Sequence, residues 1–160
     1  MGSSSSKADI TKGRKDDVRV EDREKDVRIV EVWIARRELD GILNFVQKIR
    51  RYVILRLSNG QYVCSQKDTQ GYVWTTVWNS MRSAALSTWT NDSVPSTHVR
   101  TSCYGDCNFS WREFHDCVPV GDEFNLFNDH SESFEGRIVR ILTGKKVSWF
   151  PIEDGPTFYP

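Results

Sequence analysis

Three thiols and an imidazole, Cys103, Cys107, His115 and Cys117, fall between residues 103 and 117 of the chain. Thiolate sulfur and imidazole nitrogen are the ligands that tetrahedral zinc prefers, and the Cys103–Cys107 spacing suits a ligand pair. If this stretch is extended, His115 and Cys117 share one strand face at a tight separation. The same residues admit a plainer reading, in which the cysteines are small buried hydrophobes and His115 is a surface side chain. A nucleophilic Cys103 or Cys117 beside His115 is a third, although no third residue marks a base held in place by an orienting group. The chain has four Cys and no export signal, so reduced thiols are expected. A different chemical handle stands at the start. Met1-Gly2, followed by Ser6 and Lys7, fits the pattern for N-myristoylation of Gly2. A single acyl chain gives only marginal membrane binding, so such a tether is reversible, with Lys7, Lys12, Arg14 and Lys15 as weak electrostatic support.

The elements that must position these groups are read from apolar patterning. Residues 1–26 carry Asp9, Asp16, Asp17, Glu21, Asp22, Glu24 and Asp26 interleaved with lysine and arginine, and almost no large apolar side chain. Such a stretch cannot bury enough surface to offset its chain entropy, and a disordered tail is expected there. Residues 27–160 form one domain in this reading. Val27 to Ile34 is β-branched and aromatic, the composition of a buried strand. Leu39, Ile42, Leu43, Val46 and Ile49 lie at helical spacing and predict an amphipathic helix after that strand. Tyr52–Leu57 and Tyr62–Cys64 flank Asn59-Gly60, a hairpin signal, and Tyr72–Trp78 predicts the next strand. Residues 79–89 admit a short helix, 90–111 read as a long loop or irregular hairpin, and Phe114–Val120 as an edge strand. Phe134, Ile138, Ile141 and Leu142 mark a final helix, with Asp129 and Glu132 spaced as a capping box and Gly144 as its stop. The aromatic, proline-bearing stretch after Trp149 suggests an extended strap. The expected class is α+β: an antiparallel sheet of about four to six strands, a helix after the first strand, a capped C-terminal helix, and the helices on one side.

Composition narrows the function. The 160 residues hold 22 Lys and Arg against 22 Asp and Glu, a formal net charge of zero, which argues against a nucleic-acid grip because phosphate neutralisation needs a basic excess. No apolar run is long enough for a membrane-spanning helix, and no secretory leader is recognisable, so a cytoplasmic, membrane-associated location is expected.

Val30-Glu31-Val32-Trp33, then Tyr52–Leu55 running into Asn59-Gly60-Gln61-Tyr62-Val63, then Phe124 to Phe134 (Phe-Asn-Leu-Phe-Asn-Asp-His-Ser-Glu-Ser-Phe) together resemble the skeleton of the lecithin retinol acyltransferase-like family, within the NlpC/P60 group of papain-like thiol enzymes. The resemblance spans roughly residues 28–144. It implies a nucleophile at the position of Ser131, a strand-opening base at the position of Arg51, and a second imidazole near Cys64 or Ser65. This chain departs at each of them. A thiol in the first turn of a helix is drawn toward the thiolate by the helix dipole. A serine hydroxyl needs an adjacent general base instead, and an arginine is always protonated. His130 neighbours Ser131 in sequence, but successive helical residues point in different directions. The implied product is a domain with its catalytic groups replaced, which binds lipid or protein in the former active-site groove beside Ser131. Two alternatives stand beside it: an active acyltransferase, phospholipase or thiol hydrolase of the same fold, and a zinc-stabilised protein-interaction module built on Cys103, Cys107, His115 and Cys117. No cofactor other than zinc is implied.

Overall fold

The structure is a computed structural model, and it describes residues 9–12, 26–39, 48–67, 73–87, 98–117, 133–148 and 152–160. Strands β1 (Asp9–Lys12), β2 (Arg28–Leu39), β3 (Lys48–Leu57), β4 (Tyr62–Lys67), β5 (Val73–Trp78) and β6 (Val99–Ser110) form a six-stranded sheet in the order β1-β5-β4-β3-β2-β6. Every neighbouring pair is antiparallel. Three helices accompany the strands among the described residues: α1 (Met81–Ala85), α2 (Trp111–Cys117) and α3 (Phe134–Thr143). The class is α+β.

Strand alternation splits the interior into two cores. Val32 and Ile34 of β2, Val53, Leu55 and Leu57 of β3, Val63 of β4 and Val77 of β5 pack with Phe114 of α2 and Phe134, Ile138, Val139 and Leu142 of α3. On the reverse face Ala35, Tyr52, Ile54, Cys64 and Trp78 pack with Ala84 and Ala85 of α1 and with Val99, and Phe158 leans on the same cluster. The helices therefore cover both faces of the sheet, not one side as expected. Ile29 and Val32 belong to the same core although they are an odd number of residues apart. A register shift between Ile29 and Glu31 supplies the extra residue that rephases the strand.

The Asn59-Gly60 turn closes the β3–β4 hairpin as expected. Gly60 takes φ +88°, where a Cβ would be strained, and the side-chain oxygen of Asn59 accepts from the Gln61 amide at 3.0 Å. The α3 helix is also as patterned, with Gly144 as its left-handed stop donating to the Arg140 carbonyl at 2.9 Å. Its cap is Ser133, whose hydroxyl accepts from the Gly136 amide at 3.1 Å. The expected capping pair, Asp129 and Glu132, lies before the helix and outside the described residues. Residues 79–89 do hold a short helix, α1, capped by Ser80.

Other expectations change. Leu39 ends β2 and Ile49 lies in β3, paired with Glu38, so both ends of the expected helix between them are strand; the residues from 40 to 47 are outside the described set. The helix that follows the opening strands is α1. Within the expected tail, Asp9–Lys12 pair with Val77–Trp74 of β5 as β1. The expected loop at 90–111 contains β6, a 12-residue strand. The expected edge strand from Phe114 begins instead as α2. Ser110 and Glu113 stand three apart, as in a capping box, and the Glu113 amide donates to the Ser110 hydroxyl at 3.4 Å. Trp111 and Phe114, three apart, put their rings 5.8 Å from each other against the α3-side core.

The stretch 152–160 runs as a strap along the outer edge of β6. Phe158 and Val99 exchange backbone hydrogen bonds, the Gly155 amide donates to the Thr101 carbonyl, and the Thr101 hydroxyl donates to the Pro156 carbonyl. Gly155 is needed for the fit, because a Cβ there would lie 2.3 Å from the Thr101 hydroxyl and 2.5 Å from the Trp33 ring. No helix among the described residues is long and apolar enough to cross a membrane.

Candidate functional site

Arg51 lies on β3 opposite Arg36 of β2, and Arg36 lies opposite Arg100 of β6. Residues directly opposite share a face. Alternation from Val53 and Ile34 turns that row toward α3. Three guanidiniums side by side repel, and the strap relieves part of this. Glu153 puts Oε1 2.5 Å from Nη2 of Arg36 and 3.9 Å from Nη1 of Arg100. Asp154 uses its carboxylate to accept from the Cys103 amide at 3.0 Å. Tyr104 packs into the α3-side core beside this row. Burial pushes its phenol up, while the positive charge of Arg51 pulls the other way. Arg100 also donates through Nε to Nε2 of the half-buried His98 at 2.8 Å.

The sequence-derived residues distribute as follows. Arg51 is in this row, a permanent cation where the family pattern places a base. Ser131 and Gly2 lie outside the described residues, as does His130. Helix α3 opens three residues after Ser131, with its cap Ser133 two after, and packs on the face that Arg51 occupies. Cys103 and Cys107 are both on β6, but they diverge. Cys103 is opposite Trp33, which leans on the α1-side core, whereas Cys107 packs in the α3-side core and donates to the Ile29 carbonyl at 3.4 Å. Between them Gly105, at φ +114°, accompanies a register shift in the β2–β6 pairing. His115 and Cys117 belong to α2 rather than a strand, and their side chains lie outside the described set. Among the described residues no three His, Cys, Asp or Glu side chains gather as a metal site.

The α1 face holds a polar group of side chains that patterning did not single out. Tyr52, fully buried, donates its hydroxyl to the Ala85 carbonyl at the end of α1. Arg37, 2 % exposed, donates from Nη1 to the Ser87 carbonyl at 3.1 Å and stacks over the Tyr52 ring, 5.4 Å from its centroid. Cys64 accepts from the Ser87 hydroxyl at 3.6 Å, and Gln66 directs its amide toward the same sulfur. Burial pushes the Cys64 thiol up to about 12, against smaller opposing pulls from Ser87 and Arg37. Burial likewise raises the Tyr52 hydroxyl and the Cys103 and Cys107 thiols. Burial thus acts against thiolate formation at each of these three thiols.

No protein-family model, no curated protein and no solved structure matches the chain. The chemistry of the described residues therefore carries the functional reading. Its one sequence-level signal for the α1-face cluster is faint: Arg36 and Arg37 continue a strand whose alternation must turn one of them inward.

Proposed function

We propose that the chain is a non-catalytic binding domain, reversibly tethered to a membrane by an acyl chain on Gly2, on a scaffold akin to the lecithin retinol acyltransferase-like enzymes with the reactive groups replaced. Its ligand is a lipid or a protein segment held on the α3 face, near the start of α3. The carrying observation is the row of Arg51, Arg36 and Arg100 on the face against which α3 packs. The residue at the base position, Arg51, is a guanidinium, which does not give up its proton, and the Glu153 carboxylate at this row is engaged by Arg36 and Arg100. The described thiols support the same reading. Cys64 belongs to the opposite face, and Cys103 and Cys107 stand on β6, so none of them opens α3.

Two measurements test this proposal. Co-expression with an N-myristoyltransferase should add the mass of one myristoyl chain to the wild type and nothing to Gly2→Ala, and only the wild type should float with liposomes. Equal flotation of the two removes the tether. Second, treatment with a thiol alkylator should leave ligand binding unchanged. Turnover of a phospholipid or acyl ester that the alkylator abolishes would restore the enzyme reading.

A further inference from the structure

Arg37 is a cation almost wholly withdrawn from water, at 2 % exposure, and among the described residues no carboxylate comes within ion-pair distance of it. Its Nη1 is spent on the Ser87 carbonyl and its plane on the Tyr52 ring. Its Nε is buried with no partner among the described residues. On the same face, the side-chain oxygen of Gln66 is buried and equally unpartnered. The surroundings deepen the imbalance. Arg37 is opposite Arg50, and the adjacent row carries Arg51, Arg36 and Arg100. Arg50 and Arg51 make contacts of their own, and the Glu153 carboxylate is given to Arg36 and Arg100.

A guanidinium cannot shed its proton to escape burial, and a buried charge without a counter-charge is among the most costly arrangements a fold can hold. The neighbouring acids do not supply the missing charge, since burial holds the Cys64 thiol and the Tyr52 phenol protonated. The ring face and the carbonyl ends of α1 offset only part of it. We propose that Arg37 is the recognition residue of a phosphomonoester site on the α1 face. An oxyanion oxygen accepts from the Nε of Arg37, and the remaining P–OH of the monoester donates to the Gln66 oxygen. A singly protonated phosphate carries both the acceptor and the donor that these two atoms lack. A phosphodiester carries no such hydroxyl, and a carboxylate loses it at neutral pH. The phosphate belongs either to a small molecule or to a monoester lipid headgroup such as that of phosphatidic acid. This site lies on the opposite face from the Arg51 row and does not require the Gly2 tether.

The test uses the full chain made without an acyltransferase, so that tethering and phosphate recognition are read separately. The Nε–H resonance of Arg37 is followed while inorganic phosphate replaces chloride at constant ionic strength. A saturable shift of that resonance is expected, and calorimetry should show affinity falling by about tenfold in Arg37→Lys, the loss of one good charge-assisted contact. Gln66→Leu, which leaves every arginine in place, should also weaken binding. Pelleting with phosphatidic acid vesicles, competed by free phosphate and absent with phosphatidylcholine, assigns the lipid headgroup. A saturable shift without pelleting assigns a small molecule. A resonance that responds to phosphate no more than to chloride overturns the site, as does unchanged affinity in both variants. Should Arg37→Lys fail to fold, the wild-type resonance and Gln66→Leu still decide.

Discussion

The two faces of the sheet are built on opposite principles. Toward α3 a continuous apolar core runs from Ile29 and Leu55 to Ile138 and Leu142. Among the described residues, the buried polar side chains on that sheet face are the small hydroxyls of Ser65, Thr75 and Ser102, with the arginine row at its margin. Toward α1 it interleaves Ile54 and Ala35 with Arg37, Tyr52, Cys64, Gln66 and Ser87. An apolar interior yields stabilisation roughly in proportion to buried area and tolerates imprecise geometry. A polar interior adds little net stability, and each group left without a partner is costly, so its arrangement is specific. One face is stabilised chiefly by apolar burial, and the other holds the large buried polar groups. Arg36 and Arg37 show the contrast within one strand. The first reaches the Glu153 carboxylate at 2.5 Å, and the second is buried without one.

The largest expected effect comes from the apolar face. Leu55→Ala removes a fully buried side chain between β3 and α3 and should cost about 3 kcal/mol in urea unfolding, in the range for large-to-small core substitutions. A cost below about 1 kcal/mol would mean that this face is loosely packed and the comparison misdrawn. Gly155→Ala drives a methyl group into Thr101 and Trp33. It should cost about 2 kcal/mol and shift tryptophan emission as the ring is uncovered. Ser133→Ala removes the hydroxyl that caps α3 and should cost about 1 kcal/mol, with a matching loss of helical signal by circular dichroism.

The smallest effect at neutral pH belongs to the polar face and is read by titration. The folded Cys64 thiol is pushed up to about 12 from an ordinary 9.0. The folded state therefore holds its proton more tightly than the unfolded chain does. The associated stability is fully present below pH 9 and is lost as pH rises toward 12. Wild type should lose stability in that window more steeply than Cys64→Ala, and the two curves should run parallel below it. Parallel curves throughout would place Cys64 in contact with water.

Much of the α3 face could be read from the sequence because its signals are local. Asn59-Gly60 needs only its own turn, Phe134, Ile138 and Leu142 recur at helical spacing, and Gly144 stops the helix where a left-handed residue is required. The α+β class followed from these. β6 escaped because Val99–Ser110 is a polar edge strand whose alternation is broken by register shifts and by Gly105, and whose partner is the strap from 152 onward. The stripe from Leu39 to Ile49 suggested a helix since apolar spacing alone does not distinguish one from two strand ends, and the pairing of Glu38 with Ile49 is a tertiary contact. α2 carried a usable signal, Ser110 with Glu113, which was outweighed by the β-like residues around it. The Arg37 cluster is barely legible for a different reason. Its members come from β2, β3, β4 and the end of α1, and the alternation that must turn Arg36 or Arg37 inward does not say which, nor what it meets there.

The strap has a consequence for how the molecule behaves in a crowd of its own copies. An exposed outer strand with unsatisfied amides is a template onto which another chain can add, and repeated addition leads to fibrils. Along Val99–Cys103 the template is already taken: backbone and carboxylate groups of 154–158 occupy its donors and acceptors. At the far border of the sheet the outermost strand among the described residues is the four-residue Asp9–Lys12, a short template. Segments near the two ends of the chain thus act as selvedges, keeping the woven sheet from extending into its neighbours.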